Sequence, residues 1–234
     1  MILALAALAL GGSIKTDVAD PYVEIRTPHG LGAGTVIEVD GELLVLTAAH
    51  VAEGCRFERE GSVFSRPARL VNKKAKIAVD ADVVLCGRRG DIGPDLALLK
   101  PRDTAGLAPA SLTVKFEYDL GEDCWYIGSP AGAHARLEKS IISGIDADDI
   151  EGFAVGSYIT TNGSGWYGSS GGGLFVKRSS ECECCGESEY VLAGVVVAGD
   201  MNRGNPVSWK YAVDHQTIQK FLDLYRESKG GYGR

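Results

Sequence analysis

The sequence predicts an all-β protein, a pair of small antiparallel barrels closed by one helix, and three observations lead there. Glycine fills 31 of the 234 positions, about twice its usual ~7% share, with no fixed period and scattered among Val, Ile, Thr and Tyr. That distribution suits many short strands joined by tight turns and excludes a collagen repeat or a coiled coil. The β-prone runs fall into two halves of similar strand number, separated by a Pro, Asp, Thr, Ala and Gly stretch at 101–109. Only the C-terminal segment carries a helical period.

The elements follow in chain order. Residues 2–10 (ILALAALAL) form an apolar run followed by Gly11, Gly12 and Ser13. A bilayer span needs about 20 apolar residues, so this run is too short for one. It has the length of a signal-peptide core but lacks the basic n-region. A weak signal peptide, the tail of a membrane segment and an N-terminal element of the fold all remain open for residues 1–20. Residues 22–27 read as a strand, and 35–39, Asp40-Gly41 and 43–47 as a hairpin with a tight turn. Further strands are expected at 68–71, 76–79, 83–86 and 96–99, completing a first barrel over 21–105. A second barrel over 106–213 would contain strands at 113–118, 125–127, 140–145, 158–161, 174–177, 191–198 and 210–213. From Asp214, placed to cap a first turn, Ile218, Phe221, Leu222 and Tyr225 recur at helical spacing, with a frayed tail at 230–234.

Composition limits the function. With 24 Lys and Arg against 31 Asp and Glu, the net charge is −7, and no long basic run occurs; a nucleic-acid binder would show a basic face. The six cysteines, at 55, 86, 124, 182, 184 and 185, are too few and too uneven for a disulfide scaffold.

Three segments carry chemistry. Residues 44–51 read LVLTAAHV, 95–100 read DLALLK and 168–175 read GSSGGGLF. They supply a base, an acid and a hydroxyl in the order His, Asp, Ser, one of the orders in which nucleophilic triads occur. A serine hydroxyl attacks well only when an adjacent imidazole takes its proton, and the imidazole needs a carboxylate to hold its tautomer. His50, Asp95 and Ser170 are the expected base, orienter and nucleophile. Asp80, Asp82 and Asp91 compete with Asp95, and Ser169 with Ser170. The amides of Gly168 and Ser170 are the expected oxyanion hole, with Gly171, Gly172 and Gly173 turning the chain back into a strand.

These motifs resemble those of the trypsin-like (chymotrypsin-fold) serine peptidases: TAAH at the base, Asp-aliphatic-Ala-aliphatic-aliphatic at the acid and Gly-x-Ser-Gly-Gly at the nucleophile. Flanking pieces extend the likeness over roughly 22–224: GAGTVI at 32–37, YIGSP at 126–130, LAGVVVAG at 192–199 and the closing strand and helix at 211–222. The separation of Asp95 and Ser170 (170 − 95 = 75) and the short loops are most similar to bacterial high-temperature-requirement proteases and compact viral serine proteases. The resemblance implies two six-stranded barrels and a serine endopeptidase with polypeptide substrates, no cofactor and no nucleic-acid partner, serving polyprotein processing or protein quality control. A catalytically silent peptide-binding module is the alternative. Membrane association would come only through the N-terminal apolar run.

Departures from the family refine this. Ser169 stands where digestive members carry an Asp that pairs with a freed N-terminus, so activation by that ion pair is not expected. Cys55 lies five residues past His50, farther than the usual cysteine of secreted members, and no PDZ-like segment follows the helix, which suggests a bare protease domain. The resemblance places the base of the specificity pocket at Ser164, its wall at Val197, Ala198 and Gly199, and Trp209 on the far side. With no acid at Ser164, Lys or Arg before the scissile bond is disfavoured, and a neutral, small to medium residue is expected there. Cys182, Cys184 and Cys185 could hold a zinc ion, with Cys124 or a histidine as fourth ligand, but C-x-C-C is not a C-x₂-C knuckle. An exposed acidic hairpin loop is the preferred reading, with no metal expected. His29, His134 and His215 are read as surface or loop residues, with a substrate contact conceivable for His134.

Overall fold

The computed structural model describes residues 13–59, 62–87, 93–112, 117–132, 135–146, 155–163, 167–177, 189–202 and 205–230. The chain opens with a wide helical turn, Ile14–Ala19. Next come β1 (Tyr22–Thr27), β2 (Gly30–Val39), β3 (Glu42–Thr47) and a short helix α1 (Ala49–Glu53). A small hairpin, β4 (Arg56–Arg59) and β5 (Ser62–Ser65), precedes β6 (Ala68–Asn72), β7 (Ile77–Cys86) and β8 (Ala97–Pro101). The second half contains β9 (Asp123–Gly128), β10 (Arg136–Asp146), β11 (Tyr158–Thr161) and β12 (Gly173–Lys177). It closes with β13 (Tyr190–Asn202), β14 (Asn205–Asp214) and helix α2 (His215–Gly230).

Each half closes into a six-stranded antiparallel barrel, in the order β1-β2-β3-β8-β7-β6 and β10-β11-β14-β13-β12-β9. Closure pairs most of the sheet edges that would otherwise invite pairing with another chain. The β2–β3 hairpin turns at Asp40 and Gly41, whose positive φ values of 51° and 80° match the twist of the flanking strands. In the second barrel the inward face takes alternate residues, as a period of two requires: Cys124 and Tyr126, Ile159, Leu174 and Val176, Val196 and Ala212 share one buried cluster. A larger cluster fills the first barrel and continues to Ile218, Phe221, Leu222 and Tyr225 of α2. Asp214 Oδ1 accepts from Thr217 N at 2.8 Å and caps that helix as its spacing predicts.

Some expectations change. The strands expected at 76–79 and 83–86 are one strand, β7, with a register shift between Val83 and Leu85. β2 begins at Gly30 and β13 and β14 run several residues beyond their apolar centres, because ladder pairing continues through polar residues. The β4–β5 hairpin has no counterpart in the sequence reading. Of the strand expected at 113–118, residues 113–116 lie outside the described residues and 117–118 are not strand. The apolar run 2–10 also lies outside, and no described helix is long and apolar enough to cross a membrane.

Candidate active site

Strand register brings His50 and Asp95 together. Thr47 of β3 pairs with Ala97 of β8, so the chain leaving β3 toward His50 and the chain entering β8 from Asp95 meet at one end of the first barrel. His50 lies in the first turn of α1 rather than in the strand. Asp95, only 3% exposed, holds it at two points: Oδ1 accepts from His50 N at 3.0 Å, and Oδ2 lies 2.8 Å from Nδ1. A carboxylate only accepts, so Nδ1 carries the proton and Nε2 is left with a lone pair. The rival carboxylates are engaged elsewhere. Asp80 pairs with Arg69 at 2.9 Å and Asp82 with Arg102 at 2.8 Å, while Asp91 lies outside the described residues.

The turn carrying Ser170 is wedged between the barrels. Ser170 O accepts from Ala33 N of β2 at 2.8 Å, Gly171 N donates to Val196 O at 2.6 Å, and Val196 N donates to Gly172 O at 2.9 Å. Gly171, at φ +87°, leaves no room for a Cβ, which would collide with Ala33 O and Thr47 Oγ1 and lie 3.1 Å from Ala48 N. The residue after Ser170 therefore packs on the strand end that leads into His50. Gly168, at φ +90°, presses on Ser129 O in the same way. Among the described residues neither Gly168 N nor Ser170 N donates to a protein acceptor, so both remain available to a developing oxyanion. Ser169 is 4% exposed and backs onto Gly128, whereas Ser170 is half-buried. Among the described residues no hydrogen bond joins Ser170 Oγ to His50; such bonds commonly tighten only when substrate is bound.

The remaining predicted site residues divide. Ser164 lies outside the described residues. Val197 is the bulged residue of β13, 3% exposed, and Ala198 and Gly199 pair with Tyr211 and Lys210 of β14. Trp209 is 42% exposed. Cys182, Cys184 and Cys185 lie outside the described residues, and Cys124 is enclosed in the second barrel, where burial pushes its thiol up to about 12. Among the described residues no group of three or more His, Cys, Asp or Glu is placed to hold a metal ion. His29 is exposed and His134 lies outside the described residues. His215 corrects the surface reading: it is 7% exposed, edge-on to Tyr118 at 5.7 Å, and burial holds its imidazole below its ordinary pKa.

The sequence reading passed over Lys210, which is 2% exposed inside the second barrel. Its Nζ lies 2.8 Å from the centroid of the Tyr126 ring and 3.5 Å from Glu138 Oε2. The signal was there: Lys210 is in phase with Ala212 on one strand, and Ala212 faces the core.

This architecture, paired barrels with a glycine-rich serine turn seated between them, is that of the serine-type peptidases. The chain belongs to the trypsin-like peptidase domain family, matching it over residues 32–181, nearly two thirds of its length. Among solved structures it is similar to the HtrA-type protease AlgW with tripeptide, at 20% identity and a TM-score of 0.69, covering 91% of this chain and 61% of that one. A variant of AlgW, also with tripeptide, gives 0.70 at 20% identity, with coverage of 89% and 61%. The inactive form of the Rv3671c protease gives 0.63 at 19% identity, with coverage of 96% and 98%; the inactive form of a Rv3671c mutant from M. tuberculosis H37Rv gives 0.65 at 19%, with coverage of 94% and 92%. At these identities the likeness is one of fold, and the chain spans about three fifths of the length of the AlgW chains. Comparison with curated protein sequences finds no match.

Proposed function

We propose that the chain is a serine endopeptidase in which His50, Asp95 and Ser170 act as a triad. The observation that carries this reading is the two-point hold of Asp95 on His50, which fixes the ring and leaves Nε2 as the acceptor. Ser170 Oγ attacks a peptide carbonyl carbon while its proton passes to Nε2. The carbonyl oxygen becomes an oxyanion and is received by the amides of Gly168 and Ser170. The C–N bond then breaks as His50 returns the proton to the leaving amine. Water repeats the sequence on the acyl-enzyme, giving the free acid and regenerating Ser170.

Substrate is held as an added strand. Past Val196, the edge of β13 away from β14 has no partner among the described residues, so 197–199 can pair with an extended peptide. AlgW has been solved with a tripeptide, which agrees with peptide binding on this fold. Polyprotein processing and protein quality control are the roles we propose for such an activity.

The decisive experiment is labelling with a fluorophosphonate probe. Stoichiometric labelling of the wild type, absent in Ser170→Ala, supports the endopeptidase. Well-folded wild type that takes no label points instead to a silent peptide-binding module.

A further inference from the structure

Two buried polar atoms of the second barrel have no hydrogen-bond partner among the described residues, Lys210 Nζ and Thr161 Oγ1. Both residues are enclosed, at 2% and 1% exposure. They are also neighbours: Thr161 of β11 and Lys210 of β14 are directly opposed in register, so their side chains leave the same face of the sheet. Ile159 and Ala212, two residues along the same strands, lie in the barrel core, so that face is the interior. Glu138 Oε2, at 3.5 Å from Nζ, is too far for a full hydrogen bond. A buried ammonium and a buried hydroxyl that face each other with donors unspent are costly to keep unless something arrives to use them.

Their position says what arrives. The end of the barrel that holds them is the end that the nucleophile turn covers. β11 leads from Thr161 to Gly163, where a Cβ would lie 3.4 Å from Lys210 Nζ, and the chain returns at residue 167 for the Ser170 turn. β9 runs from Tyr126, beneath the ammonium, to Gly128, which backs onto Ser169. Two strand residues span about 6.7 Å, so the ammonium lies one layer below the turn. On its other side Lys210 pairs with Gly199, at the edge proposed for the substrate strand.

We propose that Lys210 and Thr161 form the floor of the specificity pocket and receive a carboxylate, so that the enzyme cleaves after Glu or Asp. This rests on the serine endopeptidase reading. An apolar side chain would leave both donors unsatisfied and a neutral amide offers a single uncharged acceptor oxygen, whereas a carboxylate accepts from each and matches the charge. Sites built to hydrogen-bond a substrate group discriminate strongly against analogues lacking it. A Lys or Arg would bring a second positive charge into an enclosed space, so its exclusion, expected from the absence of an acid at position 164, acquires an active cause. The expectation of a neutral residue considered position 164 alone, whereas Lys210 reaches the floor from β14. Glu138 competes for the ammonium from 3.5 Å, on a side chain that is 42% exposed, and the substrate carboxylate must outbid it.

Burial lowers Lys210 to about 7. The titratable groups packed on it are Cys124 and Tyr126 of β9 and Glu138 of β10, while β11 and β13 present Thr161 and Gly199. The free enzyme therefore loses the charge that attracts a substrate carboxylate as pH rises through about 7.

The test is a pair of internally quenched peptides differing only in Glu or Gln before the scissile bond. Their ratio of kcat/KM cancels the titration of the triad. The expected ratio is at least about tenfold at pH 6 and declines through neutral pH. It should collapse about tenfold or more in Lys210→Met, fall severalfold in Thr161→Val, and rise in Glu138→Gln. A wild-type ratio near one, or a Lys210→Met ratio equal to wild type with both proteins folded by circular dichroism, overturns the proposal and marks Lys210 as a structural partner of Glu138. Fluorophosphonate labelling separates the two readings. If no label is taken, fluorescence polarisation of peptides ending in Glu or Gln decides the pocket without turnover: about tenfold tighter binding of the Glu peptide, lost in Lys210→Met, supports it, and equal binding overturns it.

Discussion

Asp95 spends one oxygen on the backbone of His50 and the other on its ring, so Asp95→Asn puts an amide where only acceptors fit. Either the helix-start contact or the ring contact must fail, and an NH₂ facing Nδ1 moves the ring proton to Nε2. With the base blocked, kcat should drop by roughly 10⁴-fold with little change in KM, as found when the tautomer of a triad is wrong; steady-state kinetics on a cleaved peptide checks this. Gly168 makes a second prediction. Its φ of +90° and its contact with Ser129 O leave no place for a methyl group, so Gly168→Ala must shift the amide that we propose receives the oxyanion. A loss of about 10²–10³ in kcat is expected, together with a fall in melting temperature; full activity would show that this amide does not serve the oxyanion. At this scale much of the site was legible. His50, Asp95 and Ser170, the residues of the proposed triad, stand in short motifs, because the proposed chemistry demands those residue types beside small neighbours. Lys210 was not, since its partners Thr161, Tyr126 and Glu138 come from three other strands.

Among elements, α2 shows how a cap read from sequence becomes a measurable contribution. Asp214 ends β14 and accepts from Thr217 N at 2.8 Å while 5% exposed. Asp214→Ala should cost about 1 kcal/mol of unfolding free energy, read as a lower urea midpoint at unchanged slope, and Asp214→Asn should recover most of it. The strands were read at their apolar centres, because that is where alternation is strongest. Their ends were not, because β2, β13 and β14 extend through glycine and polar residues by continued ladder pairing. The short helix α1 escaped detection for a related reason. Five residues of Ala, His, Val, Ala and Glu have no helical period to display, and Asp95, which holds His50 N, lies 45 residues away.

At the scale of the molecule, the closing helix is strapped back onto the first barrel through Glu42. Its carboxylate meets Lys100 of β8 at 2.6 Å, Lys229 of α2, and Tyr225 OH at 2.9 Å. The Lys100 ammonium, then that of Lys229, hold the carboxyl down at about 2. A carboxyl with a depressed folded pKa adds stability that is present above its ordinary value of 4.5 and is lost as pH falls toward about 2. The side chain keeps 21% exposure, so solvent screening limits the contribution to about 1 kcal/mol. Glu42→Gln should therefore lower stability at neutral pH and flatten its decline between pH 4.5 and 2, as followed by ellipticity during acid unfolding.

Local pattern was enough to specify an all-β chain in two halves with one capped helix, and to mark the histidine, the aspartate and the serine turn as candidates, because turn chemistry, strand alternation and the small neighbours of each motif all act within a few residues. Barrel closure, the meeting of Thr47 with Ala97 that joins His50 to Asp95, and the orphaned Lys210–Thr161 pair came only from the tertiary structure. Register between strands far apart in sequence decides which side chains share a face, and no run of neighbouring residues encodes that.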